Sequence, residues 1–332
     1  MKPNIISELG SRLRSAVIAL LLLACAVSGP AHALVTNFES TEGPAVAVFN
    51  GKIFMAMTGT NAQHSIYLAY STDGTTWSNF YTLGNNTSVP NAAPALAAFN
   101  NKLYITWTGG GNYVNIASST DGITFSNQSV IFSGTYNALG STALAVANNK
   151  LYIAFAGITA VAGVSNPVWS SYSSNGVTWT APQEHSFGAN GSQWSPGLGS
   201  WVGTGVTLAF TTVATQVNPN RELLAMGVSG GGTPALNFPI PNSGQPAIPY
   251  ISGPGVGSLG NTLYVIWPGT SLANEVIVTS YQWNGSIITY LNQVHTGQTC
   301  IGNPAILGFN GHVYYAWTGT DPGHHVNFSL YQ

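Results

Sequence analysis

Residues 44–59 read PAVAVFNGKIFMAMTG: an apolar segment, an Asn-Gly pair, a second apolar segment and a Thr-Gly ending. The same order recurs five times along the chain. The copies are PALAAFNNKLYITWTG (94–109), TALAVANNKLYIAFAG (142–157), PGLGSWVGTGVTLAFTT (196–212), PGVGSLGNTLYVIWPG (254–269) and PAILGFNGHVYYAWTG (304–319). Their starts are separated by 50, 48, 54, 58 and 50 residues, and a repeat of this period indicates a propeller, a solenoid or an array.

Each clear copy predicts four strands, which we name A to D. In the first unit these are PAVAVFN, KIFMAMT, SIYLAYS and TWSNFYTL, where aromatic and β-branched residues alternate between Gly, Asn and Pro. The pairs Asn50-Gly51, Asn100-Asn101 and Asn310-Gly311 tolerate the positive φ of a two-residue hairpin. No helical period interrupts the pattern. The sequence therefore predicts an all-β protein, a six-bladed β-propeller of four-stranded antiparallel blades.

The chain ends predict how the ring closes. The sixth unit has sequence for strands A, B and C and then stops at Gln332. Residues 35–40, VTNFES, resemble the strand D stretch of the first unit and would complete the last blade, which removes an open sheet edge. A linear solenoid is the alternative, and it would need a polar cap at both ends.

The first 33 residues have the features of an export signal. Lys2, Arg12 and Arg14 precede an apolar run at 17–24, and Ala31-His32-Ala33 is a small-residue cleavage site. We therefore expect a signal peptide at 1–33, a propeller domain at 34–332 and a secreted or periplasmic bacterial protein, not transmembrane after processing. Lipoprotein processing at Cys25, which would leave a lipid anchor, is the alternative. After cleavage behind Ala33, Cys300 is the remaining cysteine, and its apolar neighbours predict burial.

The charge content excludes one class of partner. Only 5% of residues are charged, and the formal net charge is −2. Lys52, Lys102, Lys150 and Arg221 are the basic residues after position 33. Nucleic-acid binding needs many phosphate-neutralising side chains, so nucleic acid is not an expected partner. A surface rich in Asn, Ser and Thr suits neutral, hydroxyl-rich ligands, so we expect glycans or cell-surface polysaccharide as partners.

Three C–D links carry a further motif. They read STDGTTW (71–77), STDGITF (119–125) and SSNGVTW (173–179). The motif resembles the Asp-box of sialidase-like propeller repeats. The resemblance implies a turn whose backbone is fixed by Asp, an aromatic side chain packed between strands, and a position opposite the active face. Sialidase activity is not implied, because those enzymes clamp the substrate carboxylate with three arginines and this sequence has one after position 33, Arg221. The six-unit layout is also similar to that of propeller lectins, which bind sugars between blades.

Function is expected on the face that carries the B–C and D–A links, which we call the loop face. Its longest links are 83–93, 132–141, 187–195, 239–253 and 294–303. Polar residues recur near each strand C, and aromatic residues in the longer links could stack on sugars. They could equally satisfy loop backbone. The ligand-binding candidates are His64, Asn112, Tyr113, Asn115, Tyr136, Trp194, Arg221, Tyr250, Glu275, Asp321 and His325. Trp107, Trp267, Trp317, Met57 and Phe155 at the ends of strand B are expected to pack between units.

The leading functional hypothesis is a lectin-like protein with several weak sites on the loop face, joined by multivalency. Catalysis is the weaker interpretation, because no motif pairs the acids of that face, and no catalytic residue is assigned. No metal or cofactor is expected, since the histidines lack zinc-site spacing. A glycan-active enzyme, either a glycoside hydrolase or a polysaccharide lyase, and a protein-binding extracellular scaffold remain as alternatives.

Overall fold

The repeats form antiparallel sheets, with hairpins where the Asn-Gly and Asn-Asn pairs stand. The computed structural model describes residues 34–132, 135–158, 166–185, 192, 194–201, 205–211, 223–228, 237–239, 252–269, 274–284 and 287–332. Asn50, Gly51, Asn100 and Asn101 have φ of 48°, 70°, 48° and 56°. Positive φ at both central residues gives the hairpin a twist that matches its flanking strands, so the local sequence fixes each A–B turn.

The first four units give four separate sheets, and strand order follows the sequence in each. Unit one comprises β2 (Ala45–Phe49), β3 (Lys52–Thr58), β4 (Ser65–Ser71) and β5 (Tyr81–Thr87); unit two β6 (Ala95–Phe99), β7 (Lys102–Thr108), β8 (Val114–Ser119) and β9 (Ser126–Ile131). Unit three comprises β10 (Ala138–Ala147), β11 (Lys150–Gly157), β12 (Val168–Ser173) and β13 (Gln183–His185); unit four β14 (Gly197–Trp201), β15 (Gly205–Thr211), β16 (Leu223–Val228) and β17 (Asn237–Pro239). A 3-10 turn at Gly110–Asn112 joins β7 to β8.

Units five and six differ from the prediction of separate four-stranded blades, because they share one seven-stranded sheet. Its strands are β18 (Gly255–Leu259), β19 (Thr262–Pro268), β20 (Glu275–Trp283), β21 (Ile288–Phe309), β22 (His312–Gly319), β23 (His325–Leu330) and β1 (Leu34–Glu39). The 22-residue β21 serves as strand D of unit five and strand A of unit six. Thr299 pairs with Glu275 on one side and Cys300 with Gly319 on the other. The expected loop at 294–303 is therefore extended strand.

The first and last parts of the chain meet in this sheet. β1 pairs antiparallel with β23, with Leu34 opposite Phe328 and Glu39 opposite His325. This is the pairing that the sequence of residues 35–40 predicted. The pairing places the N-terminal strand at the outer edge of unit six, where strand D lies in the other units.

Apolar clusters join successive units. Phe54 and Leu68 of unit one pack with Ile105 and Trp107 of unit two, and similar clusters link units two to three, three to four and four to five. A further cluster joins Met55 and Met57 of unit one to Phe309 and Phe328 of unit six. Residues 34–332 thus form one compact unit whose core lies between sheets.

The large side chains at the ends of strand B belong to these cores, as predicted. Trp107, Trp267, Trp317, Met57 and Phe155 are all buried. Trp317 stacks on Tyr315 with ring centroids 4.7 Å apart.

Cys300 is also buried and free, which confirms the expectation for that thiol. Burial raises its pKa above the ordinary thiol range, with the nearby Glu42 charge as a smaller cause.

Three C–D turns share one hydrogen-bond pattern. In the first, Asp73 Oδ1 accepts the N–H groups of Thr75 and Thr76, each at 2.7 Å, and Ser71 Oγ accepts that of Gly74 at 2.8 Å. These N–H donors hold the pKa of Asp73 below its usual range. The turns of units two and three repeat the pattern with Asp121 and Asn175. A side-chain oxygen thus fixes each turn, on the face opposite the loop face.

Candidate functional site at the loop face

In the five units where the start of strand C is described, a polar residue just before that strand has a structural role. His64, Asn112, Asn166, Asn274 and His324 all have positive φ, between 49° and 68°. Only Gly, Asn, Asp and His adopt this left-handed conformation readily, so the backbone selects these residue types. In four units the turned carbonyl then accepts an N–H from the following D–A link: the donors are Ser88, Ser192, Cys300 and Ser40, at 2.9–3.1 Å. The recurrence at this position therefore has a backbone cause.

Two of the ligand-binding candidates, His64 and Asn112, occupy these left-handed positions. The His64 carbonyl accepts the Ser88 N–H at 3.0 Å, and the Asn112 N–H donates to the Gly109 carbonyl at 3.0 Å. Both side chains are half-buried. His64 Nδ1 is inaccessible to solvent and has no hydrogen-bond partner among the described residues.

The aromatic candidates divide into exposed and packed. Tyr113 is 39% exposed on the loop face, beside Asn115, whose amide donates to the Tyr113 carbonyl at 2.9 Å. Tyr136 packs edge-on against Trp169, with ring centroids 4.8 Å apart. Trp194 is only 5% exposed, so the expectation of an open stacking platform there is wrong. The reason is that residue 194 lies in the link held down by Ser192, whose hydroxyl donates to the Trp194 carbonyl at 2.6 Å. Arg221 and Tyr250 lie outside the described residues.

Three of the predicted residues come together where units five and six meet. Glu275 at the start of β20 holds His295 of β21, with Oε2 to Nδ1 at 2.9 Å, and its Oε1 accepts the Gly297 N–H at 3.0 Å. Asp321 holds His325 in the same way, with Oδ1 to Nδ1 at 2.6 Å. The sequence analysis missed His295. The pairing is visible only from the strand register, in which His295 stands opposite Ile277, two residues after Glu275 on the same strand.

A hydroxyl pair connects the two carboxylate–histidine pairs. Thr299 lies opposite Glu275 and contacts Thr320 of the next unit, Oγ1 to Oγ1 at 2.7 Å, and Asp321 follows Thr320 directly. Glu275 is 10% exposed, whereas Asp321, His325 and His295 are 41%, 40% and 53% exposed. The two pairs therefore lie on either side of the junction of units five and six, with Asp321, His325 and His295 open to solvent and Glu275 largely buried.

The surroundings of the Asp321 carboxylate lower its pKa. Partial desolvation raises its pKa, but the His325 side chain and the backbone N–H groups of His325 and Gly323 outweigh that effect and lower it. Asp321 is thus an anion at neutral pH, held by donors on one side and open on the other.

A partial belt of hydrogen bonds lies around the axis at the loop-face end, formed by residues one or two positions before the start of each repeat. The Ala93 N–H donates to Ser141 Oγ and the Ser141 N–H to Ser195 Oγ, each at 2.7 Å. The Gly253 N–H donates to Asn303 Oδ1, and the Asn303 N–H to Glu42 Oε1, the latter at 2.7 Å. Glu42 is buried, and its desolvation raises its pKa to about 8 despite the N–H donors of Gly43 and Asn303.

Inside this belt lies a cavity of about 120 Å³, to which all six units contribute. A deeper segment of about 270 Å³ continues between the strands A, and neither is lined by a charged side chain. The described residues contain no group of three or more His, Cys, Asp or Glu side chains placed to hold a metal ion. In the same residues no helix is long and apolar enough to cross a bilayer.

These observations define an all-β protein of the propeller type. No family model matches the sequence, and no curated protein matches it either.

The similarity to solved structures lies in the fold. The α-L-arabinofuranosidase of Fusarium graminearum, solved with arabinobiose, is 12% identical with a TM-score of 0.65, over 92% of this chain and 98% of that one. The α-L-arabinanase of Penicillium chrysogenum, also with arabinobiose, is 12% identical with a TM-score of 0.64, over 91% and 98%. Trypanosoma rangeli sialidase is 13% identical with a TM-score of 0.59, over 89% of this chain and 55% of that longer one. At these identities the likeness shows the fold alone.

Proposed function

We propose that this protein is a glycan-active enzyme, a glycoside hydrolase whose site lies on the loop face between units five and six. The observation that carries the proposal is the pair of carboxylates Glu275 and Asp321, each hydrogen-bonded to a histidine and connected through Thr299 and Thr320. Glycoside hydrolysis needs two carboxylates on either side of the scissile bond. Thr320, the residue before Asp321, lies two strand spacings from Glu275, roughly 10 Å between their backbones. The fold that this chain shares with three glycosidases supports the same class.

The substrate that we propose is a neutral glycan. Lys52 and Lys150 lie at A–B turns, where their ammonium groups sit 4.2 Å and 3.9 Å from the rings of Tyr70 and Tyr172. Lys102 begins β7 at the same end of its unit. The described part of the loop face therefore presents no Lys or Arg to a sugar carboxylate. Neutral pentose or hexose chains fit this surface better than sialic or uronic acids.

The test is hydrolysis of defined substrates by the purified protein. Arabinan and nitrophenyl glycosides of arabinofuranose, galactose and glucose form the panel, with a sialoside as the anionic comparison. We expect release of a neutral sugar, and a loss of about 100-fold or more in kcat/KM for Glu275→Gln and for Asp321→Asn. Glu184→Gln, at an exposed position of β13, is the matched control. Full activity in both loop-face variants would reject this site.

A second candidate function is glycan binding without turnover. It is favoured by Tyr113, an exposed ring on the loop face of unit two. Calorimetry with oligosaccharides separates the two candidate functions, because a lectin leaves its ligand unchanged. In a lectin, Tyr113→Ala would weaken binding and leave any rate of hydrolysis unchanged.

We also infer that the six repeat units close into a ring, with the seven-stranded sheet serving as two blades. Support comes from the cluster shared by units one and six and from Thr318, which donates to the Glu42 carbonyl across that junction at 2.7 Å. Thr58 and Thr108 donate in the same way to Ala92 and Gly140 of the next unit.

Export is a separate proposal, in which the protein is secreted or periplasmic after cleavage behind Ala33. Its basis is the basic and apolar pattern of the first 33 residues. Mass spectrometry of the exported protein decides between a chain that starts at Leu34 and a lipidated chain that starts at Cys25.

A further inference from the structure

A cavity of about 490 Å³ lies at the outer rim, where β1 of unit six runs beside residues 75–80 of unit one. Three aromatic rings, Phe38, Trp77 and Phe80, and two amides, Asn37 and Asn79, line it together with three hydroxyl side chains. Its volume is in the range of small-molecule sites. It is distinct from the axial cavity and from the loop-face pair of carboxylates.

The rings are fixed in position yet partly open. Phe80 is 53% exposed, although its ring contacts Phe38 edge-to-face at 5.9 Å and Tyr67 at 4.9 Å. Trp77 contacts Phe328 edge-to-face at 5.1 Å. An exposed Phe held by two ring contacts loses little further freedom when a ligand stacks on it, which favours binding.

The polar groups of the cavity are partly unused. The hydroxyl of Thr36 donates to the Val326 carbonyl, and that of Ser78 accepts the Tyr70 N–H. By contrast, the amides of Asn37 and Asn79 make no hydrogen bond within the described part of the chain. Trp77 Nε1 is inaccessible to solvent and also has no partner among the described residues. Because this N–H is closed to solvent, and Trp179 Nε1 at the same position of unit three is also without a partner among the described residues, the polar contacts open to a ligand are those of the two amides.

The next junction shows why the space is open here. Between units one and two, the Tyr81 hydroxyl reaches across and donates to the carbonyl of Gly122 in the unit-two turn. The corresponding turn residue of unit one is Gly74, and no described side chain of β1 donates to its carbonyl. The junction closed by the N-terminal strand therefore lacks the side-chain contact that Tyr81 makes between units one and two.

We propose that this cavity is a non-catalytic binding site for one ring of a neutral sugar. The sugar's apolar face would stack on Phe80 or Trp77, and its hydroxyls would bond to the amides of Asn37 and Asn79. No lining residue is charged, which disfavours anionic sugars. The inference rests on the proposed function only for the ligand class, a glycan, and it needs no activity at Glu275 or Asp321.

The experiment measures binding of methyl glycosides and arabino-oligosaccharides by NMR and calorimetry. Wild-type protein, Asn79→Ala, Phe80→Ala and the loop-face variant Glu275→Gln are compared. Gln128→Ala is the matched control, since Gln128 follows the unit-two turn as Phe80 follows that of unit one and is likewise exposed. Thermal melting shows that each variant is folded.

We expect a Kd of about 1 mM, typical of a single small-ring contact. Binding should weaken about tenfold or more in Asn79→Ala and Phe80→Ala and stay unchanged in Glu275→Gln and Gln128→Ala. Binding lost only in Glu275→Gln would place the sugar on the loop face and overturn this inference while leaving the proposed function intact. Absence of binding to every probe would overturn the cavity proposal, and the hydrolysis assay would judge the loop face separately.

Discussion

The ionisation of Glu42 is coupled to folding because its carboxyl is buried. Its carboxyl lies buried between units one and six and accepts the backbone N–H groups of Gly43 and Asn303. Gly43 approaches the Asn303 backbone so closely that a Cβ there would collide with its carbonyl. The junction is therefore tight, and a charge inside it is poorly solvated.

We predict that stability falls with rising pH because of Glu42. Its pKa rises from 4.5 to about 8 in the folded protein, so the folded state binds the proton more tightly than the unfolded chain. That contribution is fully present below about pH 4.5 and is lost as the pH approaches 8. Melting temperatures at about pH 6.5 and 8.5 should differ more in wild type than in Glu42→Gln.

The buried His185 requires this choice of pH range. Desolvation lowers its pKa to about 4, so its contribution to stability is lost as the pH falls from about 6.5 to 4. Measurements above pH 6.5 avoid the His185 transition, and the comparison with Glu42→Gln separates Glu42 from other groups such as Cys300. A pH profile that is identical in wild type and Glu42→Gln would contradict the assignment.

At the scale of elements, one threonine contact repeats between units. Thr58, Thr108 and Thr318, at the end of strand B, each donate to the carbonyl two residues before the start of the next repeat. This contact explains why Thr-Gly recurs in the sequence. Unit three has Ala156 at this position, so its junction with unit four lacks the hydroxyl.

Removing that hydroxyl at the chain-closing junction should be costly. Thr318→Val keeps the side-chain shape but leaves the buried Glu42 carbonyl without its 2.7 Å donor, a loss of about 1–3 kcal/mol. Thr58→Val should cost less, because Ser88 also donates to the Ala92 carbonyl, at 3.1 Å. Denaturant unfolding measures both, with the exposed Thr72→Val as control. Equal stability of Thr318→Val and Thr72→Val would show that the contact contributes nothing.

At the scale of the whole molecule, β1 couples the two ends of the chain. It covers the edge of β23, and its Phe38 packs into the cluster shared by units one and six. Without it, the N–H and C=O groups of β23 and the buried Phe328 would meet solvent.

Deleting residues 34–39 should therefore lower the melting temperature and promote association at high protein concentration. Light scattering and thermal melting measure the two effects. The control is a permuted chain in which a short Gly-rich linker joins Gln332 to Leu34 and new ends open the exposed turn at Asn100. It keeps β1 and should melt like wild type. A deletion variant as stable as wild type would show that β1 does not hold the ends together.

Much of this architecture could be predicted from neighbouring residues alone. Asn50-Gly51 and its counterparts specify hairpins because few residues accept positive φ. Asp73 and Asp121 specify turns through bonds to N–H groups two and three residues away. The same logic could have identified His64 and Asn112 as left-handed positions, a signal that the interpretation as binding residues overlooked.

The sequence by itself therefore determined the repeat, the strands, their turns and the pairing of the N-terminal strand with the last unit, since short-range sterics and alternation encode them. Tertiary structure alone decided that β21 runs unbroken between two units, that Trp194 is buried, and that His295 meets Glu275 twenty residues away. It also decided where the rim cavity stays open. These features depend on strand register and on the packing of one sheet against the next, which bring together residues that no local pattern relates.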